Sequence, residues 1–358
     1  MVVRPFARSN PSKHPDPMAK HRVVEILGDG ISAELSQSLH DVTEVLPFDV
    51  DFIPVDLSLE NRRAKGAKLY DHVAELMDDV RTAVKYPTTT REESPNKVLR
   101  ERFDFSVIHR PVETFDGVEN NFKKRLSIDV VRVATGGTYE DRGRRIGADC
   151  AVSLRVIERQ PSRFAARYAF RLASEKGVGV VSTSKWTIQR EADGLFEDQC
   201  GDIARNYPGL DYRRELFDAL LAGIILRPER YDVIVCPNEY GDFLSDMACG
   251  LIGSIGLGDS ASYSFHEDGH VNLAMFDPAG GTAPDIAGKG ICNPSAALLA
   301  YGSCLKHLGE MEAGEGLRAA IRRAIAEGEK TGDIGGTLNT KEFTEVVKGH
   351  LAGTLAAN

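Results

Sequence analysis

The sequence predicts an α/β fold built on a largely parallel sheet. Short apolar runs alternate with helical patterns along most of the 358 residues, which is the order of elements in parallel α/β proteins. Most apolar runs are bounded by turn or polar residues, as is usual for strands that are covered on both faces. Hydrophobic residues make up 42% of the chain, which at this length is enough for the cores of two domains.

Each predicted element rests on its local pattern, which is a short apolar run for a strand and an apolar stripe for a helix. Strands are predicted at 22–27, 48–55, 105–108, 129–133, 177–182 and 231–236. Helices are predicted at 31–45, 70–83, 162–176, 213–226, 243–252, 295–308 and 314–328. Glycine-rich loops are predicted at 135–138, 250–258 and 279–290, and the Pro-rich polar start, residues 1–21, is predicted to be a flexible tail.

Charge and composition exclude several classes of protein. The net charge of −9 and the pI of about 5.6 argue against a nucleic-acid binder and against docking on anionic lipid. No apolar run approaches the ~18 residues of a membrane helix, and the polar start does not resemble a secretory signal. The six cysteines form no CxxC pair, which favours buried thiols in a reducing cytoplasm over a zinc site. An anionic small molecule is not excluded, because local arginines can dominate the field in a cleft.

The sharpest local pattern is Asn238-Glu-Tyr-Gly-Asp242-Phe-Leu-Ser-Asp246, where a predicted strand ends and a helix begins. Asp242 and Asp246 are four residues apart, so they share a helix face. One interpretation is that the carboxylates complement the positive end of the helix in its first turn. The other is that they bind a divalent metal, Mg²⁺ or Mn²⁺, which prefers hard oxygen ligands.

A long glycine-rich segment, residues 277–293, shows no clear helix or strand. Small residues allow a ligand to approach the backbone and expose N–H groups to phosphates. The length and composition favour a binding loop over an ordinary surface loop. Neither this segment nor Gly28-Asp-Gly-Ile-Ser-Ala33 fits the GxGxxG pattern, so a Rossmann dinucleotide site is not predicted.

Three arginines stand beside predicted strands. Arg100 precedes the strand at 105–108, Arg110 follows it, and Arg132 lies within the next strand. An arginine inside an apolar strand is costly unless its charge is paired. The partner is either a protein carboxylate or a polycarboxylate substrate held by bidentate hydrogen bonds.

Taken together, these segments resemble the β-decarboxylating dehydrogenases, which include isocitrate, 3-isopropylmalate, homoisocitrate and tartrate dehydrogenases. The resemblance runs from about Arg22 to the C-terminus, with separate motifs in the family's order. The matching segments are Gly28-Asp29-Gly30-Ile31 with Glu34, Leu99-Arg100, Arg110-Pro111-Val112, Arg132 with Thr135-Gly-Gly-Thr-Tyr139, Tyr207-Pro208, Asp218-Ala219, Gly241-Asp242-Phe-Leu-Ser-Asp246 and Ala283-Pro-Asp285-Ile-Ala-Gly-Lys-Gly.

The resemblance implies two α/β domains with a cleft between them, which are not of the Rossmann fold. The large domain would take residues 22–105 and 253–358, and the small domain would take residues 106–252. A segment at about 137–178 would form an intersubunit clasp. The chain would be a cytoplasmic homodimer with shared active sites, and it would bind no nucleic acid and no membrane.

The resemblance also implies roles for individual residues, two of which, Tyr139 and Lys185, are unremarkable in isolation. Arg100, Arg110 and Arg132 would bind the carboxylates of a malate-type acid. Asp242 and Asp246, with Asp218 of the neighbouring subunit, would hold Mg²⁺ or Mn²⁺. Lys185 of the neighbouring subunit would assist removal of the hydroxyl proton, and Tyr139 would protonate C3 after decarboxylation.

The cofactor implied by the resemblance is NAD, because Asp285 stands where family members that use NAD carry an acidic residue. The cofactor-binding residues would be Gly280, Gly281, Thr282, Ala283, Pro284, Asp285 and Asn293. The chain departs from the family at Gly280, where a histidine is usual, at Asp277, where a glutamate is usual, and at Val133, which replaces a glutamate.

The expected substrate is an isocitrate-like 2-hydroxy diacid with an anionic arm on C3, such as isocitrate, homoisocitrate or a phosphonate analogue. Ser94 and Asn96 match the isocitrate enzymes, and Asn96 and Lys97 stand where isopropylmalate enzymes have leucines. An apolar arm would desolvate these polar groups without compensation. The alternatives are isopropylmalate, tartrate or D-malate dehydrogenase. A non-catalytic regulatory subunit is disfavoured because every catalytic position is filled, and a metal-dependent phosphohydrolase would leave the glycine-rich loop unexplained.

Overall fold

The computed structural model describes residues 20–120 and 122–357. Strands β1 to β12 are Lys20–Leu27, Asp49–Asp56, Thr82–Lys85, Val107–Glu113, Ser127–Val133, Arg144–Ile146, Cys150–Val152, Val180–Ser184, Tyr212–Leu216, Val233–Cys236, Asp259–Phe265 and Val271–Pro278. Helices α1 to α11 are Ser32–Thr43, Leu59–Lys65, Ala67–Val80, Pro95–Arg102, Arg159–Lys176, Ala192–Ala204, Phe217–Leu226, Asn238–Ile252, Ser295–His307, Met311–Ala326 and Thr340–Ala356.

Within the described residues, ten strands form one sheet in the order β2-β1-β3-β12-β11-β4-β5-β10-β8-β9. Six of its nine neighbouring pairs are parallel, and the three antiparallel pairs, β12–β11, β11–β4 and β4–β5, lie together in the middle. The predicted α/β class with a largely parallel sheet is therefore confirmed.

The two halves of the sheet come from different parts of the chain. One half holds β1 to β3 with β11 and β12, and the other holds β4, β5, β8, β9 and β10. The chain thus crosses into the second half before β4 and returns after β10, as in the predicted segments 22–105 with 253–358 and 106–252. The division into two separate domains stays a prediction.

Helices α5 and α8 cover opposite faces of the second half of the sheet. His109 on β4 contacts Tyr168 of α5, whereas its neighbour Arg110 contacts Ser245 of α8. Consecutive side chains of a strand point to opposite faces, so β4 and β5 are covered on both sides. Val130 of β5 is accordingly fully buried, which explains the apolar run in the sequence.

Two predicted helices are wrong at one end. The segment predicted as a helix at 213–226 begins with the edge strand β9, and α7 starts only at Phe217. The helix predicted at 70–83 ends at Val80, and β3 follows after Arg81, whose φ of 68° breaks the helix.

The helix that carries the paired aspartates begins earlier than predicted. Pro237 precedes the first residue of α8, Asn238, so Asp242 and Asp246 lie in the second and third turns. The first-turn acid is Glu239, and the proposed first-turn dipole role for Asp242 is therefore wrong.

The predicted tail and the predicted clasp each include residues that belong to regular strands or helices of the structure. Lys20 and His21 of the predicted tail 1–21 belong to β1, and residues 1–19 lie outside the described residues. In the predicted clasp, β6 and β7 form a separate two-stranded hairpin, whereas residues 159–176 form α5 on the main sheet. Among the described residues, none of the helices has the length and apolar character of a membrane-spanning segment.

Candidate active site

A cavity of about 400 Å³ lies where α4, β4, β5 and α8 meet. Seven predicted site residues line it, namely Ser94, Asn96, Arg100, Arg110, Arg132, Tyr139 and Asp242. Three larger depressions, of about 760, 670 and 570 Å³, lie elsewhere, but they contain charged side chains that pair with one another, as in Arg63–Glu92, Arg322–Glu113 and Lys348–Glu44. The smaller cavity is the candidate site because it contains cationic donors that the protein leaves unsatisfied.

Arg100 is the clearest of these donors. Helix α4 begins at Pro95 with Ser94 as its cap, which places Arg100 on the cavity wall. Within the described residues its guanidinium has no hydrogen bond and no ion pair, and burial followed by repulsion from Arg110 lowers its pKa despite attraction to Asp277. A guanidinium enclosed without a partner is costly, so this position suits an anionic ligand.

Arg132 and Arg110 are held against α8. Arg132 is only 2% exposed, its Nε donates to Asn238 Oδ1 at 2.9 Å, and its Nη1 pairs with Asp242. Burial, with repulsion from Arg100, lowers the pKa of Arg132 to about 9. The pairing predicted for an arginine inside a strand is therefore made to a protein carboxylate.

The two aspartates of α8 converge on a single arginine nitrogen. Arg110 Nη1 lies 3.2 Å from Asp246 Oδ1, 3.5 Å from Asp242 Oδ1 and 2.7 Å from Ser245 Oγ. Two carboxylates that share one cationic group are close enough to share one metal ion. Arg110 Nε is buried without a partner in the described residues, which leaves one more donor unsatisfied.

Tyr139 is held over the aspartates by a glycine turn. Its hydroxyl donates to Asp242 Oδ2 at 3.0 Å, and burial, followed by the charge of Asp242, raises its pKa to about 12. Gly137 precedes it with φ of 71°, and a Cβ there would lie 2.0 Å from Glu239 Oε2. Only glycine therefore fits this turn.

The residues that position the site were missed by the sequence analysis. Asn238 accepts from Arg132 Nε and donates to the Gly136 carbonyl at 3.0 Å, so it ties the arginine to the glycine turn. Glu239 accepts from Arg155 and, at 3.4 Å, from the Thr138 amide. The sequence signal for both was their place just after strand β10, at the start of the pattern that carries the paired aspartates.

Two buried charges behind Arg100 were also missed as site residues. Lys85 is 2% exposed, its Nζ donates to the Tyr86 carbonyl at 3.0 Å, and burial lowers its pKa to about 8. Asp277 Oδ1 is buried without a partner in the described residues, and burial raises its pKa. A lysine that ends the apolar stretch Thr82-Ala-Val was the available signal.

Lys185 and Asp218 do not lie in this cavity. Lys185 follows β8, Asp218 lies in the first turn of α7, and Lys185 Nζ is 2.8 Å from Asp218 Oδ1. The hydrogen bond from Lys185 lowers the pKa of Asp218. Within one chain, therefore, these two predicted residues meet each other and not the arginine cluster.

The predicted cofactor residues form an irregular loop after β12. Asp285 is exposed, and a Cβ at Gly281 would meet open space. The Ile31 amide donates to the Thr282 carbonyl at 3.0 Å, which anchors this loop to the start of α1. Asn293 Nδ2 donates to Asp333 Oδ2 at 3.0 Å, so that side chain is fixed at the far end of the loop.

An arginine cluster beside paired carboxylates, on the interior strands β4 and β5 and the helix α8, is a site whose charges suit small polyanionic acids. The sequence model of the isocitrate/isopropylmalate dehydrogenases matches residues 22–347. The chain therefore belongs to the isocitrate/isopropylmalate dehydrogenase family, a family of oxidoreductases, and the predicted family is confirmed.

The relatives of the chain include enzymes of several names. The chain is 34% identical to a 3-isopropylmalate dehydrogenase of Archaeoglobus fulgidus, over 91% of its own length and 98% of the relative. It is 30% identical to an isocitrate/homoisocitrate dehydrogenase of Thermus thermophilus, over 91% and 97%. A crystal structure of isocitrate dehydrogenase from Methylococcus capsulatus superposes with a TM-score of 0.85 at 30% identity, over 93% and 99%.

Proposed function

We propose that the chain catalyses the NAD-dependent oxidative decarboxylation of a 3-carboxy-2-hydroxy diacid with an anionic arm on C3, and that it requires Mg²⁺ or Mn²⁺. The unpaired guanidinium of Arg100 is the observation that carries this proposal. With Arg110 and Arg132 on the same cavity, three arginines face one small space, which suits an acid with several carboxylates.

The carboxylates of α8 fit a divalent cation. Asp242 and Asp246 converge on one nitrogen of Arg110, and oxygen atoms are the ligands that Mg²⁺ and Mn²⁺ prefer. We assign the third carboxylate to the partner subunit's Asp218. The same carboxylates hold Arg110 and Arg132 in place, so they would also orient the groups that grip the substrate.

The loop after β12 fits the adenosine half of NAD. Open space surrounds Gly281, Asp285 is exposed and able to accept from ribose hydroxyls, and its charge would repel a 2′-phosphate. The remaining loop residues are Gly280, Thr282, Ala283 and Pro284, with Asn293 at its end. When bound, the nucleotide would supply the acceptor for the hydride from C2, and the metal ion would supply a Lewis acid for the oxygen on C2.

Two side chains of the protein move protons in this proposal. The partner subunit's Lys185 takes the proton of the 2-hydroxyl group, and the C3 carboxylate then leaves as CO₂. Tyr139 donates its phenolic proton to C3, which has gained the electron pair of the broken bond. A phenol is protonated at neutral pH even at its usual pKa of about 10, so Tyr139 holds the proton that this step requires.

We propose a homodimer with shared sites. Lys185 and Asp218 pair away from the cavity of their own chain, and α7 and α8 expose the apolar side chains Ile225, Leu226 and Phe243. A second copy would cover these side chains and bring its own lysine and aspartate to the cavity. The six cysteines are free thiols, which supports a cytoplasmic location.

The preference for an anionic arm rests on the polar wall of the cavity. Ser94, Asn96 and Lys97 line it, and Asn96 Oδ1 is buried without a partner in the described residues. An isopropyl group there would desolvate these atoms and give nothing in return. Isopropylmalate, tartrate and D-malate are therefore the alternative substrates, and isocitrate, homoisocitrate or a phosphonate analogue is preferred.

The test is formation of NADH from NAD⁺ and Mg²⁺ with isocitrate, isopropylmalate, tartrate and D-malate in parallel. We expect turnover to be fastest with isocitrate and much slower when NADP⁺ replaces NAD⁺. If none of these acids gives NADH at millimolar concentration, the proposed reaction is wrong.

The metal assignment has its own test in Asp246→Asn, with Asp78→Asn on α3 as a matched control. The first variant is expected to lose metal-dependent turnover and to bind Mn²⁺ weakly in calorimetry. The control is expected to keep both properties. Unchanged Mn²⁺ affinity in Asp246→Asn would refute the assignment.

The shared site is tested by mixing two inactive variants, Lys185→Met and Asp242→Asn, after reversible dissociation. In a mixed dimer, one site would receive a native lysine and a native aspartate, and the other would receive neither. Random reassociation makes half of the dimers mixed, so about a quarter of wild-type activity is expected. No recovery, with mixed dimers shown to form, would mean that each site lies within one chain.

A further inference from the structure

Arg155 lies in the segment between strand β7 and helix α5, which runs beside the turn that carries Tyr139. Gly137 of that turn donates its amide to the Val156 carbonyl at 2.6 Å, and the Val156 amide donates to the Gly137 carbonyl at 3.1 Å. The backbone next to Arg155 is therefore fixed to the turn, and this fixes the place from which its side chain extends.

The guanidinium of Arg155 joins two buried carboxylates that come from different helices. Its Nε donates to Glu239 Oε1 on α8, and its Nη1 donates to Asp193 Oδ1 on α6. The side chain of Asp193 is fully buried, that of Glu239 is 4% exposed and that of Arg155 is 13% exposed. Burial lowers the pKa of Arg155, but the two carboxylates outweigh burial and hold this pKa above its usual value. An arginine suits this place because the nitrogens of its planar fork point in different directions.

Each of these carboxylates also holds backbone at a residue that the proposed reaction uses. Asp193 Oδ2 accepts a hydrogen bond from the amide of Lys185 at 2.7 Å. Glu239 Oε2 accepts a hydrogen bond at 3.4 Å from the amide of Thr138, the residue before Tyr139. The guanidinium between the two carboxylates is therefore the centre of a continuous polar network that runs from the lysine to the tyrosine turn.

A stack of two aromatic rings joins the same two regions. Phe217 directly precedes Asp218, Tyr240 lies two residues before Asp242, and the two rings stack with their centroids 4.5 Å apart. The guanidinium carbon of Arg155 lies 5.0 Å from the centroid of the Tyr240 ring, within the range of a cation–π interaction. Helix α7 is thus packed against α8 through a stack on which the same arginine rests.

We propose that Arg155 is a positioning residue for two active sites at once. It holds the turn of Tyr139 in the site of its own chain, and it holds Lys185, which the proposed homodimer brings to the site of the partner subunit. The inference rests on the proposed function for the shared site, and it adds a residue that contacts neither the substrate nor the metal ion in that proposal. Since the two residues move protons and the cavity arginines bind the acid, loss of Arg155 would lower kcat more than it would raise KM.

The kinetic experiment compares Arg155→Lys, which keeps the positive charge and removes the fork, with wild type. The matched control is Arg318→Lys, a buried arginine of α10 that pairs with Asp259 in a different cavity. With the acid that wild type turns over fastest, kcat of Arg155→Lys is expected to fall about 10- to 100-fold while KM changes less than about threefold, as for catalytic groups misplaced by about 1 Å. The control is expected to keep the kcat of wild type. An unchanged kcat in Arg155→Lys would overturn the proposal.

Heterodimers show whether one arginine serves two sites. The Arg155→Lys chain is combined, through two affinity tags, with each of the inactive chains Lys185→Met and Asp242→Asn. With Lys185→Met, the single complete site depends on the lysine of the Arg155→Lys chain, and with Asp242→Asn it depends on the tyrosine turn of that chain. Activity at least about tenfold below that of the corresponding wild-type heterodimers is expected in both combinations. A loss in only one combination, or in neither, would overturn the proposal.

The only tryptophan of the chain, Trp186, follows Lys185 and makes the inference testable without turnover. Its side chain is half-buried, and the guanidinium carbon of Arg214 lies 5.7 Å from its ring centroid. Arg155→Lys is expected to increase the quenching of this tryptophan by acrylamide, because the acceptor of the Lys185 amide is no longer held in place, and Arg318→Lys is expected to leave it unchanged. Inactive wild-type heterodimers would refute the shared site of the proposed function, whereas unchanged quenching in Arg155→Lys would refute this inference whatever the reaction is.

Discussion

Replacement of Lys85 by methionine tests whether the fold is destabilised by a cation next to its arginine cluster. Lys85 is buried at the end of β3, and the one hydrogen bond of its ammonium group within the described residues goes to the Tyr86 carbonyl. Burial lowers its pKa although Asp277 attracts the proton. Burial also raises the pKa of Asp277, so the attraction between the two charges does not offset their desolvation.

The free-energy cost of burying the charged Lys85 follows from the pKa of this residue in the folded and unfolded states. A decrease from 10.5 to about 8 corresponds to roughly 3 kcal/mol, at about 1.4 kcal/mol per pKa unit. Below pH 8 Lys85 is protonated in both the folded and the unfolded state, so the folded protein bears the full cost of burying the charge. Between pH 8 and 10.5 the unfolded chain holds more protons, so the free energy of unfolding rises with pH.

Lys85→Met is therefore expected to unfold with a free energy up to about 3 kcal/mol higher at pH 7, and this gain should vanish near pH 10.5. Urea unfolding at fixed protein concentration, with wild type and Lys65→Met on exposed α2 as references, measures the difference. A variant less stable than wild type at pH 7 would show that the pair with Asp277 is stabilising. A gain that does not change with pH would refute the protonation argument.

Two further predictions concern stability. Asn238→Ala removes the acceptor of buried Arg132 Nε and is expected to lower the free energy of unfolding by about 1–3 kcal/mol in urea; no loss would mean that water replaces the amide. Burial would raise the pKa of Asp129, but His109 and Lys176 outweigh burial and hold it at about 2. Asp129→Asn should therefore be destabilised by about 2 kcal/mol at pH 7, with the difference lost as pH falls through 2; a difference that persists below pH 2 would contradict this.

Several apolar strands were predictable from the sequence and the polar strands were not, although β12 was missed despite its buried apolar run Leu273-Ala-Met-Phe276. Runs of valine and isoleucine predict buried strands such as β5 and β10. The edge strand β9 reads Tyr-Arg-Arg-Glu-Leu, since its exposed edge and face accept charge. Strand β11 is buried but serine-rich, Asp-Ser-Ala-Ser-Tyr-Ser-Phe, so no apolar run marks it, and its alternation of serine with apolar residues was the signal that was missed.

Some residues of the candidate site were predictable from the sequence and others were not. Arg100, Arg110 and Arg132 were named from the sequence because charges beside apolar strands need an explanation, and the structure brings them to one cavity. Asn238 was missed because its role depends on which chain segments meet, and the strands β5 and β10 are far apart in sequence. The meeting of Lys185 with Asp218, away from the arginines, likewise depends on how β8 and α7 pack.

The ion pairs of the arginines also couple the two ligands that the proposed reaction needs. Arg110 and Arg132 contact Asp242, and Arg110 contacts Asp246 as well. Asp242 and Asp246 would hold the proposed divalent cation, which would compete with the guanidinium groups for these oxygens and would free N–H donors for the substrate's carboxylates. The binding of each ligand must then raise the affinity for the other by the same factor, typically about 5- to 150-fold.

Calorimetric titration of Mn²⁺ with and without isocitrate, corrected for chelation in solution, should show this factor in wild type and a smaller factor in Arg110→Met. Equal Mn²⁺ affinities with and without the acid would mean that the arginines do not exchange partners.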